Sequence, residues 1–324
     1  MAVIGAGAFG RHHLRVIHES PHAQLAGVLD LDSQRAAEAA ATYNCPRFES
    51  LDELAANAQA AVIASPTVTH ADLGCRLMEA GLDILVEKPL ASDLVTARAL
   101  VETAARHGRI LQAGHLERFN PAVIALEGAI THPLFFEVHR LSEFSPRSLD
   151  VDVVLDLMIH DIDIVLSLVR AQPIEIRAAG IHILSEKTDI ANVRLEFPGG
   201  AVANLTASRV STERVRKLRL FQPHEYISLD YSRQDVVRFR VKPPAAPGAP
   251  PGIGFAPLAV VKDEPLRLEL EDFFQSIVER RAPRVTGAQA LAALEVASAI
   301  VDKIEVHRLV VERSLQSHGS GESR

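Results

Sequence analysis

The sequence predicts an α/β protein of two domains: a doubly wound parallel sheet, followed by an α+β domain with an open, mostly antiparallel sheet. Three observations predict this fold class. Strand and helix patterns alternate over residues 1–119, a glycine-rich turn follows the first strand, and after Pro121 strand patterns follow one another with few helices. The length of 324 residues is also typical of two domains.

The first predicted domain, residues 1–119, repeats a strand followed by a helix, which is typical of a parallel sheet with helices on both faces. The predicted strands are Ala2–Ile4, Gln24–Leu29, Arg47–Phe48, Ala60–Ala64, Asp83–Val86 and Ile110–Ala113. The predicted helices are Gly10–His18, Ser33–Thr42, Leu51–Ala56, Thr69–Ala80 and Asp93–His107. Gly81 and Gly108 stand where helix C-caps are expected.

The second predicted domain, residues 120–285, contains a long apolar helix, Val151–Val169, that can cover one face of a sheet. Its predicted strands are Leu134–Arg140, Ile174–Leu184, Ile190–Phe197, Ala201–Val210, Lys217–Phe221, Tyr226–Tyr231 and Val236–Val241. Residues 243–257 are rich in proline and glycine and predict a mobile loop. Helices Leu266–Arg281 and Thr286–Val306 follow, so we expect a C-terminal helical segment at 286–310 and a tail at 311–324.

Composition excludes several functional classes. The net charge of −7 and the lack of a basic patch argue against nucleic acid and anionic membrane surfaces as partners. Cys45 and Cys75 lack metal or redox spacing, and no apolar stretch reaches the roughly 18 residues of a membrane span. Without a signal-peptide pattern, a cytoplasmic location is expected.

The glycine-rich turn reads Gly5-Ala6-Gly7-Ala8-Phe9-Gly10. In a strand–turn–helix context, the first glycine permits a tight turn, the second lets the backbone approach a pyrophosphate, and the third lets the helix pack close to the strand. The pyrophosphate would lie on the first N–H groups of the helix. The motif therefore predicts a dinucleotide site that includes Gly5, Gly7, Ala8, Phe9 and Gly10.

Asp30 follows the second predicted strand, where an acid is expected to accept hydrogen bonds from the adenosine ribose hydroxyls. A carboxylate there repels a 2′-phosphate, and the nearest cation in the sequence is Arg35, so NAD is favoured over NADP as cofactor. The alternative is that Asp30 is a turn residue or the N-cap of the next helix.

The helix Val151–Val169 is apolar nearly all round, but five polar residues recur on one stripe of it. They are Asp152, Asp156, His160, Asp163 and Ser167. Asp156 and His160 are four residues apart, within hydrogen-bond reach, so the carboxylate can fix the tautomer of the imidazole and raise its basicity. One alternative is a satisfied polar seam against the sheet. The other is a metal site with His160 and Asp163, for which further ligands are missing, so no metal is expected.

A third motif, Glu87-Lys88-Pro89, lies at the carboxyl end of the fifth predicted strand, the edge at which open α/β sheets bind their ligands. Lys88 can point there at a nicotinamide and a substrate oxygen. The alternative is a surface lysine before a helix that begins at Pro89.

Taken together, the glycine motif, Glu87-Lys88-Pro89 and Asp156-x-x-x-His160 resemble the glucose–fructose oxidoreductase/inositol dehydrogenase (Gfo/Idh/MocA) family over essentially the whole chain. The resemblance implies an N-terminal Rossmann domain and a C-terminal open sheet that holds substrate and makes the contacts of a homodimer or homotetramer. It also implies that the late helix Thr286–Val306 packs back on the Rossmann domain.

The same resemblance implies roles for individual residues. His160 is the general base, Asp156 supports it, and Lys88 hydrogen-bonds the reacting hydroxyl and the nicotinamide ribose. The implied NAD contacts beyond the glycine turn and Asp30 are Ser65, Pro66, Thr67, His70, Glu87 and Lys88. Met158 stands where many members have glycine, a departure that removes no catalytic group.

Within the family, the segments around Arg118, Arg147 and Asn204–Arg209 look most like nucleotide-sugar 3-dehydrogenases, which oxidise the 3-hydroxyl of a UDP-N-acetylhexosamine. Arg118, Arg147 and Arg209 could clamp a diphosphate, and Asn204 and Ser208 could meet sugar hydroxyls. The alternative is that these arginines are solvated surface charges. Two other functions stay open: a dehydrogenase of a free polyol, cyclitol or sugar, and a non-enzymatic NAD-binding regulator.

Overall fold

The computed structural model describes residues 1–144, 151–244 and 250–319. These residues form two compact units. The first unit combines Met1–Phe119 with Asp263–Ala292, and the second combines Asn120–Lys262 with the chain from Ala293 onward. The first limit coincides with the predicted boundary at 119/120, but the units share the C-terminal part of the chain differently from the prediction.

The first unit contains a five-stranded parallel sheet in the order β2-β1-β3-β4-β5. Its strands are β1 (Ala2–Ile4), β2 (Gly27–Leu29), β3 (Ala60–Ile63), β4 (Asp83–Glu87) and β5 (Leu111–Gly114). Its first five helices are α1 (Ala8–Glu19), α2 (Ser33–Tyr43), α3 (Leu51–Asn57), α4 (His70–Glu79) and α5 (Leu94–His107). Every residue of β1, β3, β4 and β5 is buried, as expected of parallel strands covered on both faces. From β1 the next strand, β2, is added on one side, and β3 is then added on the other side. Such folds bind ligands at this change in strand order, between β1 and β3.

The predicted parallel sheet is thus confirmed, with shorter outer strands than the sequence suggested. The expected strand Gln24–Leu29 is reduced to Gly27–Leu29, and the expected strand Arg47–Phe48 is a single bridge between Val28 and Arg47. Asp32 and Asp93 fix the first turns of α2 and α5: the Asp32 side chain accepts hydrogen bonds from two backbone N–H groups of its helix, and the Asp93 side chain accepts one.

Two corrections concern the C-terminal helices. Residues 263–285 were expected in the second domain, but α8 (Pro265–Glu279) belongs to the first unit, where Leu270 and Phe273 join the hydrophobic core. The next helix, α9 (Gly287–Gly319), was expected to pack back on the Rossmann domain, yet from Ala293 onward it belongs to the second unit. Its described residues also extend beyond the predicted helix end, into the expected tail.

The second unit contains an eight-stranded sheet in the order β13-β12-β11-β10-β6-β9-β8-β7. Its strands are β6 (Phe135–Glu143), β7 (Glu175–Ile181), β8 (Ile190–Glu196), β9 (Val202–Ser211), β10 (Val215–Gln222), β11 (Glu225–Asp230), β12 (Asp235–Lys242) and β13 (Gly252–Pro257). All neighbours are antiparallel except β6 and β9, which confirms the mostly antiparallel sheet. The unit's other helices are α6 (Pro121–Glu127), which the sequence analysis missed, and α7 (Ile159–Val169).

One face of this sheet is covered and the other is open. Arg140, on β6, donates two hydrogen bonds to the carboxylate of Asp161, on α7, at 2.7 and 2.8 Å, and both side chains are buried. Charged groups are buried in this way only when they are paired and hydrogen-bonded. The pair therefore marks the face that α7 covers, as the sequence predicted for a helix in this region.

Strand β13 corrects the prediction of a mobile loop at 243–257. Residues Gly252–Pro257 pair with β12 at the sheet edge, and the ring of Phe255 packs against that of Phe239 with 5.2 Å between their centroids. The strand forms because β12 offers an open edge, a tertiary condition that proline and glycine content does not reveal. Among the described residues, no helix combines the length and apolarity needed to cross a membrane.

Asp189 organises the loop between β7 and β8. Its carboxylate accepts hydrogen bonds from the backbone N–H groups of Ile183, Leu184 and Ser185 at 2.6–3.0 Å and from the hydroxyl of Ser185 at 2.7 Å. Desolvation by burial would raise its pKa, but these donors favour the charged form more strongly and lower the pKa to about 2.

This pKa predicts how the free energy of unfolding responds to Asp189→Asn. The variant should lose about 2 kcal/mol at neutral pH, because one pKa unit corresponds to about 1.4 kcal/mol. Since the folded pKa is depressed, the contribution is present above the ordinary pKa of 3.8 and is lost as pH falls through the folded value. Denaturant unfolding at several pH values measures it. Glu186→Gln, at an exposed carboxylate of the same loop, is the control, and a gap between wild type and Asp189→Asn that stays constant down to about pH 3 would contradict the prediction.

Candidate active site

The turn between β1 and α1 is as tight as the glycine motif predicts. Gly5 has a φ of 93°, and a Cβ on it would lie 2.6 Å from the carbonyl oxygen of Ala64. A Cβ on Gly10 would lie 1.8 Å from the carbonyl oxygen of Gly5. The first glycine thus permits the turn, and the third permits α1 to pack directly on the strand end.

Gly7 differs from these two glycines because a Cβ there would meet nothing within 4 Å. It is the N-cap of α1, no side chain caps the helix, and Ala8 and Phe9 in the first turn are exposed. Backbone N–H groups at a helix start are obligatory donors and attract anions. This open cradle fits the pyrophosphate of a dinucleotide.

Asp30 ties the end of β2 to the glycine turn. One carboxylate oxygen accepts a hydrogen bond from the backbone N–H of Ala6 at 2.6 Å, and the other accepts one from Asp32 N–H at 2.8 Å. Asp32, not Asp30, is the N-cap of α2, so the capping alternative for Asp30 is wrong. The guanidinium of Arg35 contacts Asp30 at 3.1 Å and Asp32 at 3.3 Å, so the nearest cation in the sequence is also a direct neighbour in space.

The loops that follow β3 and β4 are joined by His70. Its two ring nitrogens lie 2.9 Å from the carbonyl oxygen of Ser65 and 3.0 Å from that of Pro89. Burial lowers the pKa of His70 below its ordinary value, against the opposing effect of these carbonyls. Ser65 and Thr67 are half-buried and Pro66 is exposed, while His70 itself is buried and contacts loop backbone. His70 therefore holds together the loop that carries Ser65, Pro66 and Thr67 and the loop that carries Lys88.

Glu87 is the last residue of β4, and Lys88 follows it, half-buried. The Glu87 carboxylate lies 2.6 Å from Nε2 of His13, on α1. Glu269, on α8, lies close to both. His13 and Glu269 were not predicted from the sequence, since nothing in the spacing of residues 13, 87 and 269 signals that they meet.

In the second unit, Asp156 lies in an irregular turn that the sequence did not predict, and His160 follows it at the start of α7. Residues Val154–Met158 form a π-helical turn that leads into α7, and Ile159 N–H donates to the carbonyl of Val154. Such turns frequently occur at functional sites. Both Asp156 and His160 are half-buried.

The predicted polar stripe is only partly a functional feature. Asp152 accepts a hydrogen bond from Val154 N–H at 3.0 Å, and Ser167 donates to the carbonyl of Ile164 at 2.7 Å, so both serve local backbone. Asp163 is buried. Asp152 and Ser167 thus bond to backbone of their own segment, which is neither catalysis nor a seam against the sheet, and Asp156 and His160 remain the candidate catalytic residues.

The predicted substrate arginines that the structure describes are buried. Arg118, in a 3-10 turn at Leu116–Phe119, is buried, and Arg147 lies outside the described residues. Arg209 is also buried: its guanidinium contacts the carbonyl oxygens of Val151 and Thr188 and lies 3.6 Å from the carboxylate of Asp189. This placement argues against a diphosphate clamp that includes Arg209.

Asn204 is on the open face of the sheet. It alternates along β9 with the buried residues Ala203 and Leu205, and its side chain lies 3.5 Å from Arg194 on β8. Side chains alternate between the two faces along a strand. Asn204 is therefore on the face opposite Arg140 and α7, which corrects the expectation that it shares a sugar site with His160.

Comparison with known proteins identifies similar sequences for both parts of the chain. A family model described as "Oxidoreductase family, NAD-binding Rossmann fold" matches residues 1–115. A second, described as "GFO/IDH/MocA C-terminal domain", matches residues 122–222.

Individual relatives include UDP-N-acetylglucosamine 3-dehydrogenase of Acidithiobacillus ferrooxidans, which is 38% identical over 295 residues, covering 90% of this chain and 93% of the relative. A solved structure of that enzyme matches with a TM-score of 0.89 and 36% identity over 94% of this chain and 97% of its own. Inositol 2-dehydrogenase of Rubrobacter xylanophilus is 30% identical over 225 residues, 65% of each chain. The similarity to the first enzyme thus extends over both units.

The environment of Asp30 predicts the effect of Asp30→Ser on cofactor choice. The change removes the carboxylate that repels a 2′-phosphate and releases Arg35 to meet one, so the preference for NAD over NADP should narrow by about tenfold or more. Calorimetric titration with NAD and NADP measures this preference. Asp32→Ser is the matched control, because serine still caps α2 and the Asp30–Arg35 pair remains. A wild-type protein that binds NADP more tightly would contradict the prediction.

Proposed function

The chain belongs to the GFO/IDH/MocA family of oxidoreductases, whose N-terminal domain is an NAD-binding Rossmann fold, and from that premise we propose a specific substrate. The protein is an NAD-dependent dehydrogenase. We propose that it oxidises a ring hydroxyl of a sugar to a ketone, at the 3-hydroxyl of a UDP-N-acetylhexosamine. The observation that carries the proposal is the similarity to UDP-N-acetylglucosamine 3-dehydrogenase over nearly the full length of both chains.

The residues of the first unit fit NAD. The uncapped start of α1 and the open side of Gly7 would hold the pyrophosphate, and Asp30 would hold the adenosine ribose. A dinucleotide held there would supply the acceptor for the hydride that leaves the carbinol carbon of the substrate.

The remaining chemistry falls to side chains. His160 takes the proton of the reacting hydroxyl on an imidazole nitrogen, and Asp156 fixes the orientation of that ring. Lys88 donates a hydrogen bond to the same oxygen and stabilises the negative charge that develops on it. Support for these roles comes from the strand-end position of Lys88, from half-buried Asp156 in the π-helical turn and from half-buried His160 at the start of α7.

A free polyol or cyclitol is the second candidate substrate. Two observations favour it: the similarity to inositol 2-dehydrogenase, and the buried position of Arg209, which removes one of the three cations expected to bind a diphosphate. A free polyol needs no such cation. Of the other two arginines, Arg118 is buried and its own backbone carbonyl accepts a hydrogen bond from Arg284 at 2.9 Å.

A substrate panel separates the two candidates. With NAD supplied, we expect NADH absorbance to rise with UDP-N-acetylglucosamine or UDP-N-acetylgalactosamine and not with N-acetylglucosamine or myo-inositol. The reason is that the nucleotide diphosphate, although remote from the reacting carbon, contributes binding energy that helps to orient the sugar for reaction. Turnover of myo-inositol together with no detectable binding of either UDP-sugar would replace the first proposal by the second.

The proposed roles predict that Lys88→Ala and His160→Ala each lower kcat at least about a hundredfold, the usual scale for general acid–base groups. NAD affinity, measured by calorimetry, and thermal stability should stay near wild type. His132→Ala, at an exposed histidine of the second unit, is the control for loss of an imidazole. Near-normal turnover in a well-folded Lys88→Ala or His160→Ala variant would mean that the residue is structural.

We also propose that the protein forms a homodimer or homotetramer through the open face of the eight-stranded sheet. A row of aromatic rings crosses five strands on this face, with centroids 4.8–5.9 Å apart. It consists of Phe135, Phe221, Tyr226, Phe239 and Phe255. An exposed apolar surface of this kind marks an interaction site.

This interface predicts that Phe255→Asp shifts the protein toward monomer, because an aspartate in the contact would bury an unpaired charge. Light scattering after gel filtration gives the mass in solution. Val261→Asp, at an exposed apolar residue that is not part of the row, should leave the mass unchanged. A monomeric wild-type protein would refute the proposal.

A further inference from the structure

Three buried ionisable side chains meet inside the first unit, next to Lys88, the lysine for which we propose a catalytic role. They are His13 on α1, Glu87 at the end of β4 and Glu269 on α8, and we refer to them as the buried cluster. Their nitrogen and oxygen atoms lie within 4.8 Å of one another. His13 and Glu269 are 0% exposed and Glu87 is 8% exposed.

The bonds within the cluster are unequal. Nε2 of His13 and Oε1 of Glu87 are 2.6 Å apart, a short hydrogen bond. Among the described residues, neither carboxylate oxygen of Glu269 has a hydrogen-bond partner. A carboxylate anion in such a place would be strongly unfavourable, so Glu269 must be neutralised by a proton or by a bound cation.

The distances favour a proton over a metal ion. Two ligands of one tetrahedral zinc ion, each about 2.1 Å from it, lie about 3.4 Å apart. His13 and Glu87 are closer than that and share a hydrogen bond. They therefore contact each other as a donor–acceptor pair, and Glu269 is left to carry its own proton.

We propose that Glu269 is held protonated, and that this neutral carboxyl group allows Glu87 to keep its bond to His13 and so fixes the backbone from which Lys88 extends. His13, Glu87 and Glu269 are positioning residues in this scheme. The inference rests on the proposed role of Lys88 and deepens it, because it names what holds that lysine in place.

The surroundings of the cluster fit this assignment. Burial and the charges of Glu87 and Asp272 raise the pKa of Glu269 well above its ordinary value. Within the cluster, His13 from α1 and Glu87 from β4 face Glu269; among the described residues outside it, Asp272 of α8 acts on Glu269, and His70 of α4 interacts with Glu87. Asp272 is bound to Arg281 at 2.8 Å, so its charge is partly balanced elsewhere.

The fifth strand also leaves room for the Glu87 carboxylate. A Cβ on Gly114, the partner of Glu87 across β4 and β5, would lie 2.8 Å from Oε2 of Glu87. Glu87 can thus occupy its position only because residue 114 is glycine. The imidazole that binds Glu87 is also packed, because the ring of Phe9 lies edge-on to that of His13 with centroids 5.7 Å apart. Glu87 is therefore held by packing as well as by its bond to His13.

The test compares Glu269→Gln with Glu269→Ala. Glutamine keeps the shape and the neutrality of a protonated glutamate, whereas alanine leaves a cavity into which Glu87 can move. We expect kcat to fall about tenfold or more in Glu269→Ala and to recover to within about threefold of wild type in Glu269→Gln, with the Kd for NAD little changed in either. Equal loss in both variants would overturn the proposal, since a charge or a metal at residue 269 would then be needed.

A second measurement tests the protonation of Glu269 through the pH dependence of thermal stability, without substrate. A raised folded pKa gives stability that is present below the ordinary pKa of 4.5 and is lost as pH rises through the folded value. Wild-type Tm should therefore fall relative to that of Glu269→Gln as pH rises from about 5 to about 9. A constant difference across this range, or stoichiometric zinc in the wild type that Glu269→Gln lacks, would overturn the assignment.

A third measurement separates this proposal from the choice of substrate. The rate at which acetic anhydride modifies Lys88, followed by peptide mass spectrometry, should change at least about threefold in Glu269→Ala and return toward wild type in Glu269→Gln. This readout needs no turnover, so it still applies if the substrate assignment fails. An unchanged Lys88 rate in Glu269→Ala would show that the cluster does not position the lysine.

Discussion

The close approach of Gly10 to the carbonyl oxygen of Gly5 is the constraint on which the first unit depends. Any side chain at residue 10 would displace α1 from the end of β1. Because the helix lies there, its N-terminus is left open at Gly7, and Ala6 N–H reaches the carboxylate of Asp30 at the end of the neighbouring strand. One turn further along, the same helix brings His13 to Glu87. A single steric condition therefore positions the open start of α1, the carboxylate of Asp30 and the end of β4 that precedes Lys88.

In the second unit the corresponding constraint is electrostatic. The ion pair between Arg140 and Asp161 is buried between sheet and helix, where separating the two charges would be costly. The ring of Tyr231 lies 5.2 Å from the guanidinium carbon of Arg140 and closes one side of the pair. The pair therefore fixes α7 on the covered face of the sheet, and with it the helix turn that carries His160.

The sequence predicted features that depend on local pattern, and it missed features that depend on distant partners. The parallel strands were predictable because strands such as Ala60–Ile63 are continuously apolar, and the glycine turn because each glycine has its own steric reason. Strand β13 forms only because β12 offers an edge, and α8 joins the first unit through apolar residues whose partners lie in the N-terminal part of the chain. The π-helical turn also escaped prediction, since an apolar helix pattern does not show where an extra residue is inserted. The N-cap Asn120 before Pro121 was a readable signal for α6 that the sequence analysis did not use.

For the candidate site the same distinction holds. Lys88 and His160 could be named from motifs, but the burial of Arg209 could not, because its partner Asp189 is recognisable only in the folded loop. Alternation along β9 could in principle have placed Asn204 on a face, but which face α7 covers is decided by Arg140 and Asp161.

The two candidate catalytic side chains have the same relation to their surroundings. Each is adjacent in sequence to a buried acid that is bound by a cationic or imidazole partner from another element: Lys88 follows Glu87, and His160 precedes Asp161. A buried, hydrogen-bonded acid has little freedom to move, because breaking its bonds would leave an unsatisfied polar group in a medium of low dielectric constant. The backbone of the neighbouring residue, Lys88 or His160, is therefore fixed, while the side chain of that residue stays partly exposed. A lysine or histidine held in this way keeps its direction toward a reacting oxygen without being buried itself, which is the combination that proton transfer and charge stabilisation require.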